Sequence, residues 1–173
     1  MERIEYPRVN RLYTFDNYGE EFRLVGKIGP MEVWVDDEGL AYKNFKVVLP
    51  RSKGPAKVAC EIELSKVCNS WAVDLTKVDS KFQGFGIAVK AYAFIIKKMG
   101  ITLKAGSMQS PGGRSIWAQL AKENSIMVYG INGRRGIPHV MLPNDDGTEV
   151  ECEEDDIEAY DVRSFNMFAT KVA

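Results

Sequence analysis

Histidine is nearly missing from this 173-residue chain, with His139 the single one. A Ser-His-Asp or Cys-His arrangement would have only that one imidazole as its base. His139 lies in IPHVML, whose alternation reads as a strand. Cysteine is also sparse. Cys60, Cys68 and Cys152 are odd in number and form neither a CxxC pair nor a His spacing suited to zinc, so reduced structural thiols and no metal site are expected. An excess of either charge is lacking, since 23 Lys and Arg stand against 24 Asp and Glu. No bulk field therefore draws the chain to nucleic acid or an anionic membrane, and any charged partner must be met locally. No apolar run approaches the roughly 20 residues that span a bilayer, and the opening MERIEYPRVN lacks the apolar core of a signal peptide. A cytoplasmic protein with no nucleic-acid or membrane partner is expected.

What is present is enough for one sizeable core. Hydrophobic residues make up 45% of the chain and aromatic ones 10%, while 173 residues are few for two ordinary domains. A single domain over 1–173 is expected, with a core at about 70–142 and a C-terminal segment at 144–173. From 22 to 78 the runs FRLVGKI, MEVWVDD, NFKVVLP, KVACEIEL and SWAVDLTKV are rich in Val, Ile, Phe and Trp and are divided by the turn signals IGP, DEG and SKGP. They read as an antiparallel meander. The period then changes in GIAVKAYAFIIKK, where Lys90, Lys97 and Lys98 are the only charges, which predicts a largely buried helix with one narrow wet stripe, closed by Gly100. ITLKAG follows as a short strand, and SPGGRSIWAQLAKE as a second helix with Ser110 as N-cap and Pro111 at the first position. IMVYGI and IPHVML form a hairpin around NGRRG. The fold class expected is α+β, with a central, mostly antiparallel twisted sheet, a β-rich N-terminal half and two main helices. The acidic stretch 144–161 reads as a solvated loop or a docking surface for basic groups, and VRSFNMFATKV as a last strand returning to the sheet.

Gln83-Gly84-Phe85-Gly86-Ile87-Ala88 lies where a strand enters a helix. Such a turn presents unpaired N–H groups and the positive end of the helix dipole, and glycines let a phosphate approach them. Tight packing alone also produces such turns, so the spacing leaves both readings open. The Walker pattern does not fit, because Ile87 and Ala88 stand where it needs Lys followed by Ser or Thr. The Rossmann fingerprint belongs early in a parallel βαβ chain, and a β meander precedes this turn.

The stretch from Val78 to Ala88 resembles the acetyl-CoA-binding motif of the GCN5-related N-acetyltransferases (GNAT family), Gln/Arg-x-x-Gly-x-Gly/Ala, with Gln83, Gly86 and Ala88 in the defined places. The family's second helix often carries a small polar residue, then a small residue three on, an aliphatic six on and an aromatic seven on. Ser110, Gly113, Ile116 and Trp117 occupy those places. The resemblance covers roughly 73–131. It implies acetyl-CoA as cofactor, lying in a V between the strand before the motif and the next one. The main chain of Thr76 and Val78 would bond the pantetheine amides, and the amides across Phe85, Gly86, Ile87 and Ala88 would cradle the pyrophosphate. Gln83, Gly84, Ser110 and Trp117 complete the implied cofactor-binding set.

Acetyl transfer to an amine also needs a base, because a protonated amine has no lone pair to attack with. Asp74, on the strand leading to the motif, and Glu63, on the strand before it, are the candidates; both can equally be surface strand residues. The family commonly has a tyrosine where Trp117 stands, and an indole cannot give up a proton as a phenol does. Tyr129 is the candidate acid, or else a strand residue with its hydroxyl in solvent. Residues 11–23 leave little room for the helices that usually line the acceptor pocket. The extended front, small size and SMQSPGGRSIWAQL segment are similar to small GNAT-like proteins of tailed phages. Two functions stay open: an N-acetyltransferase of unknown acceptor, or a GNAT-like module that binds a host factor or a virion protein after its chemistry has lapsed. For the second, Arg134, Arg135 and the acidic stretch 149–158 are the candidate contacts.

Overall fold

The computed structural model describes residues 14–15, 21–37, 39–67, 70–106, 111–132, 138–140 and 165–172. Its strands begin with β1 (Thr14–Phe15), β2 (Arg23–Ile28), β3 (Met31–Asp36), β4 (Tyr42–Leu49), β5 (Ala56–Val67) and β6 (Ser70–Val78). A single 3₁₀ turn (Ser80–Phe82) leads into α1 (Ile87–Met99), followed by β7 (Leu103–Lys104) and α2 (Pro111–Leu120). The chain closes with β8 (Ile126–Asn132), β9 (Pro138–Val140) and β10 (Phe165–Lys171). These strands form one sheet in the order β2-β3-β4-β5-β6-β7-β10-β8-β9, with β1 paired to β5. Every pairing is antiparallel except β6 with β7. This is the expected α+β architecture, with a β-rich front and two helices. The tail returns to the sheet as expected, and it does so between β7 and β8.

Alternation explains the meander. Val33 and Val35 on β3, Phe45 and Val47 on β4, and Cys60, Ile62 and Leu64 on β5 are at most 1% exposed and face α1. Val47 pairs with Cys60 and Val48 with Val58, so Ala59 is an extra residue that turns β5 over. As a result Val58 faces the opposite side, where it joins Val48 and Ala56 beneath Phe22 and Trp34 in a smaller core. One strand thus serves two apolar clusters.

The α1 helix is buried along most of its length because the sheet covers one side and α2 another. Ile87, Ala88, Val89, Ala91, Tyr92, Ala93, Ile95 and Ile96 are all buried, and the Tyr92 ring meets Trp117 of α2 edge to face at 6.0 Å. Lys90 and Lys98 remain exposed as the pattern predicts, while Lys97 reaches Glu123 at 3.1 Å. Gly100 ends the helix in the left-handed region at φ 65°, its N–H bonded to the Ile95 carbonyl. Cys60 is a free buried thiol whose pKa burial pushes up to about 12, with the Glu61 charge adding to it. Cys68 and Cys152 lie outside the described residues, and His139 is in β9 as the alternation predicts. Among the described residues no helix is long and apolar enough to cross a membrane.

Ile62 is fully buried at the centre of the larger core. Ile62→Ala is expected to cost about 2–5 kcal/mol, since the cavity can relax only partly. Urea denaturation should show a lower midpoint with an unchanged slope.

Candidate active site

The parallel pairing of β6 with β7 lasts for two residue pairs, Trp71 with Leu103 and Ala72 with Lys104. The Trp71 N–H donates to the Thr102 carbonyl at 2.9 Å. Beyond that point β7 follows its other neighbour, with the Ala105 N–H donating to Met167 of β10 at 2.7 Å. Gly106 passes so close to β6 that a Cβ on it would lie 2.4 Å from the Val73 carbonyl oxygen. On the β6 side, Leu64 faces Val73 and Glu63 faces Leu75, which leaves Asp74 as a bulged extra residue. Among the described residues the ladder between β6 and β7 ends there.

Past the bulge, β6 is held on its β5 edge. The Asp79 N–H donates to the Ala59 carbonyl at 2.9 Å, beside the pair Val78 and Cys60. That bond makes Val78 a non-hydrogen-bonded pair member, so its N–H and C=O point away from β5. The two-residue period puts those of Thr76 on the same edge, turned away from β5. The Val78 carbonyl accepts from Gln83 Nε2 at 3.1 Å, so Gln83 braces the turn that follows.

Asp79 anchors that turn. It is 1% exposed, its Oδ1 accepts from the Lys81 N–H at 2.9 Å, and Lys57 Nζ lies 3.6 Å from the same oxygen. Its main-chain carbonyl accepts from the Phe82 N–H at 2.8 Å. Gly84 and Gly86 then take left-handed conformations, φ 85° and 69°, which other L residues resist. Gly86 is the N-cap of α1 and brings no side chain to its first-turn amides, while its carbonyl accepts from the Lys90 N–H at 3.0 Å. Nothing lies within 4 Å of where a Cβ on Gly84 or Gly86 would stand. The turn leaves open space beside a helix N-terminus, and this fits an anionic group. Phe85, between the two glycines, projects into solvent at 68% exposure.

On the helix face of the sheet, Thr76 Oγ1 lies 2.6 Å from Tyr92 Oη. Burial raises the Tyr92 phenol well above its ordinary pKa, against the lowering effect of its bond to Thr76. Trp117 packs edge-on against Tyr92 and is 3% exposed. Ser110 lies outside the described residues, as do Arg134, Arg135 and the acidic stretch 149–158.

Asp74 and Glu63 lie on the other face. Glu63 alternates with the buried Ile62 and Leu64 and faces Leu75, and the exposed Asp74 accepts from Ser65 Oγ at 3.0 Å. Ser65 is two residues from Glu63 and shares its face. Tyr129 stacks on Phe168 at 5.4 Å and is also turned away from the helices, since its neighbours Val128 and Ala169 are buried beneath them. It belongs to β8, three strand spacings or about 14 Å from β6. The structure brings Asp74 and Glu63 together and leaves Tyr129 apart. Two residues at this site escaped the sequence reading, Asp79 and Tyr92. Asp directly ahead of a short turn is an N-cap signal that could have marked the first; the second reads as an ordinary core aromatic.

No family model matches the chain, and no curated protein matches it. Among solved structures, the chain is similar to the crystal structure of the ribosomal-protein-S18-alanine N-acetyltransferase from Escherichia coli, with TM-score 0.40 and 17% identity over 79% of this chain and 72% of that one.

The close approach of the chain after β7 to β6 depends on a missing side chain. Gly106→Ala would set a Cβ against the Val73 carbonyl, so the loss of stability is expected to reach about 1–3 kcal/mol, as for other overpacked sites. Thermal unfolding checks this, and an unchanged midpoint would show that the approach is not constrained.

Proposed function

We propose that the chain is an acetyl-CoA-dependent N-acetyltransferase of the GNAT type, with the cofactor lying along the free edge of β6 and its diphosphate on the amides that follow Gly84. One coincidence carries this reading: the strand whose ladder with its parallel neighbour stops at Ala72 runs straight into a two-glycine turn at the start of a helix. Each feature alone has a packing explanation, but together they offer amides for an extended chain and, at its end, a site for its anion.

Bound there, acetyl-CoA supplies an acyl thioester. The residues of this chain bind and orient it: Thr76 and Val78 through main-chain groups, and the 85–88 amides through charge-assisted hydrogen bonds. Asp74 and Glu63 sit on the opposite face, where an acceptor amine can approach the parted strands from the side away from the helices. A carboxylate there takes the ammonium proton, directly or through one water, and frees the lone pair. Asp74 is the nearer of the two to the free edge, because it belongs to β6 itself.

A second reading, a module that binds a protein partner without catalysis, is favoured by Trp117. It stands where the resemblance places a phenol, and an indole N–H is a donor with no usable acidity.

Calorimetry with acetyl-CoA is expected to show saturable binding, weakened at least tenfold by Gly86→Glu. No heat at high micromolar protein would remove the cofactor reading. A thiol-release assay over amines and peptides then tests catalysis. The Asp74→Asn, Glu63→Gln double variant is expected to lose a factor of about 10² or more. Full rate in that variant would remove the base assignment, and binding without turnover for any acceptor would favour the second reading.

A further inference from the structure

Thr76 enters the cofactor reading through its main chain, yet its side chain occupies an unusual position. It projects from β6 toward α1, and its oxygen lies 2.6 Å from a phenol that is 3% exposed. Each hydroxyl has one hydrogen to give, and burial decides which of them donates. If Thr76 donated to Tyr92, the phenolic hydrogen would be left in the core, and among the described residues no other acceptor for it is seen. A buried donor without an acceptor forfeits its whole desolvation energy. Tyr92 therefore donates and Thr76 accepts. That arrangement fixes the threonine oxygen and leaves its own hydrogen to be given elsewhere. Thr76 is only half-buried, and no other hydrogen bond of its hydroxyl is seen among the described residues.

We propose that the Thr76 hydroxyl, held by Tyr92, donates a hydrogen bond to a carbonyl oxygen of the acyl-pantetheine chain lying along β6. This rests on the cofactor reading above and adds to it a side-chain contact on the helix face. Thr76 touches the ligand, and Tyr92 acts through it as a positioning residue. Trp117 completes the arrangement by packing against the Tyr92 ring, which keeps the phenol on Thr76. The donor is neutral and, with the phenol fixed, preorganised, so its contribution is that of one ordinary hydrogen bond.

Calorimetric titration of acetyl-CoA into wild type, Thr76→Val, Thr76→Ser and Tyr92→Phe tests the proposal. Thr76→Val keeps the shape and removes the donor, and its Kd is expected to rise about three- to tenfold. Thr76→Ser should restore affinity to within about twofold of wild type, a rescue that a purely packing role for the threonine methyl would not give. Tyr92→Phe should weaken binding less than Thr76→Val, because the hydroxyl is still present and has only lost its orientation. Thr76→Val binding as tightly as wild type would overturn the proposal, and so would Thr76→Ser binding as weakly as Thr76→Val. If Tyr92→Phe fails to fold, the two Thr76 variants still decide. Wild type that takes up no acetyl-CoA would remove the cofactor reading and this inference together, whereas tight binding by wild type and Thr76→Val alike would remove the inference alone.

Discussion

Among the described residues the ladder of β6 with its second partner ends after Ala72, and the proposed site is built on that end. Three local features accompany it. The bulge at Asp74 shifts the β6 register against β5, β10 takes the far edge of β7, and Gly106 allows the departing chain to graze the Val73 carbonyl. A sheet that had stayed paired would have spent the Thr76 and Val78 amides on β7. Exposed strand edges normally invite unwanted pairing. Here the edge of β6 beyond Ala72 is interior to the sheet order, with β5 on its other side, and is not a terminal edge of the sheet.

The same parting divides the chemistry by face. On the helix side stand a threonine hydroxyl, a phenol and an indole, and burial raises the phenol's pKa further. On the other side stand Asp74 and Glu63, the first exposed and held by Ser65. A charged carboxylate on the helix face would have to be desolvated beside α1, at a cost of several kcal/mol. Placed on the outer face, it avoids that cost. In the proposed reading the acyl group and the proton acceptor would be addressed from opposite faces of the sheet.

Much of the fold was legible because it depends on local patterns. Alternating Val, Phe and Ile marked the meander, a run whose only charges are Lys90, Lys97 and Lys98 marked α1, and Gly100 marked its end. The glycine turn was legible for the same reason, since positive φ at Gly84 and Gly86 is a demand that sequence can display. Features that depend on distant partners were not legible. The bulges at Ala59 and Asp74 come from register against a neighbouring strand, and the place of β10 between β7 and β8 is a matter of topology. Nor could the pattern show that Tyr92 points at Thr76, sixteen residues away on another element. Glu63 and Asp74 were named from chain order alone, and their common face became visible only once the bulge was located.

Gln83 illustrates how a motif position can be filled for a reason other than ligand contact. Its amide donates to the Val78 carbonyl, and so one of the free-edge acceptors is used within the chain. The carbonyl it occupies is the last one on β6 before the turn, and capping it with a side-chain N–H ties the end of the strand to the start of the glycine turn. Asp79 performs the companion task from inside, bonding the Lys81 amide while Lys57 balances its charge. Together the two residues brace the chain just ahead of the glycine turn, so that part of its ordering is met in folding. The glycines make the turn possible, but Gln83 and Asp79 are what hold it ready.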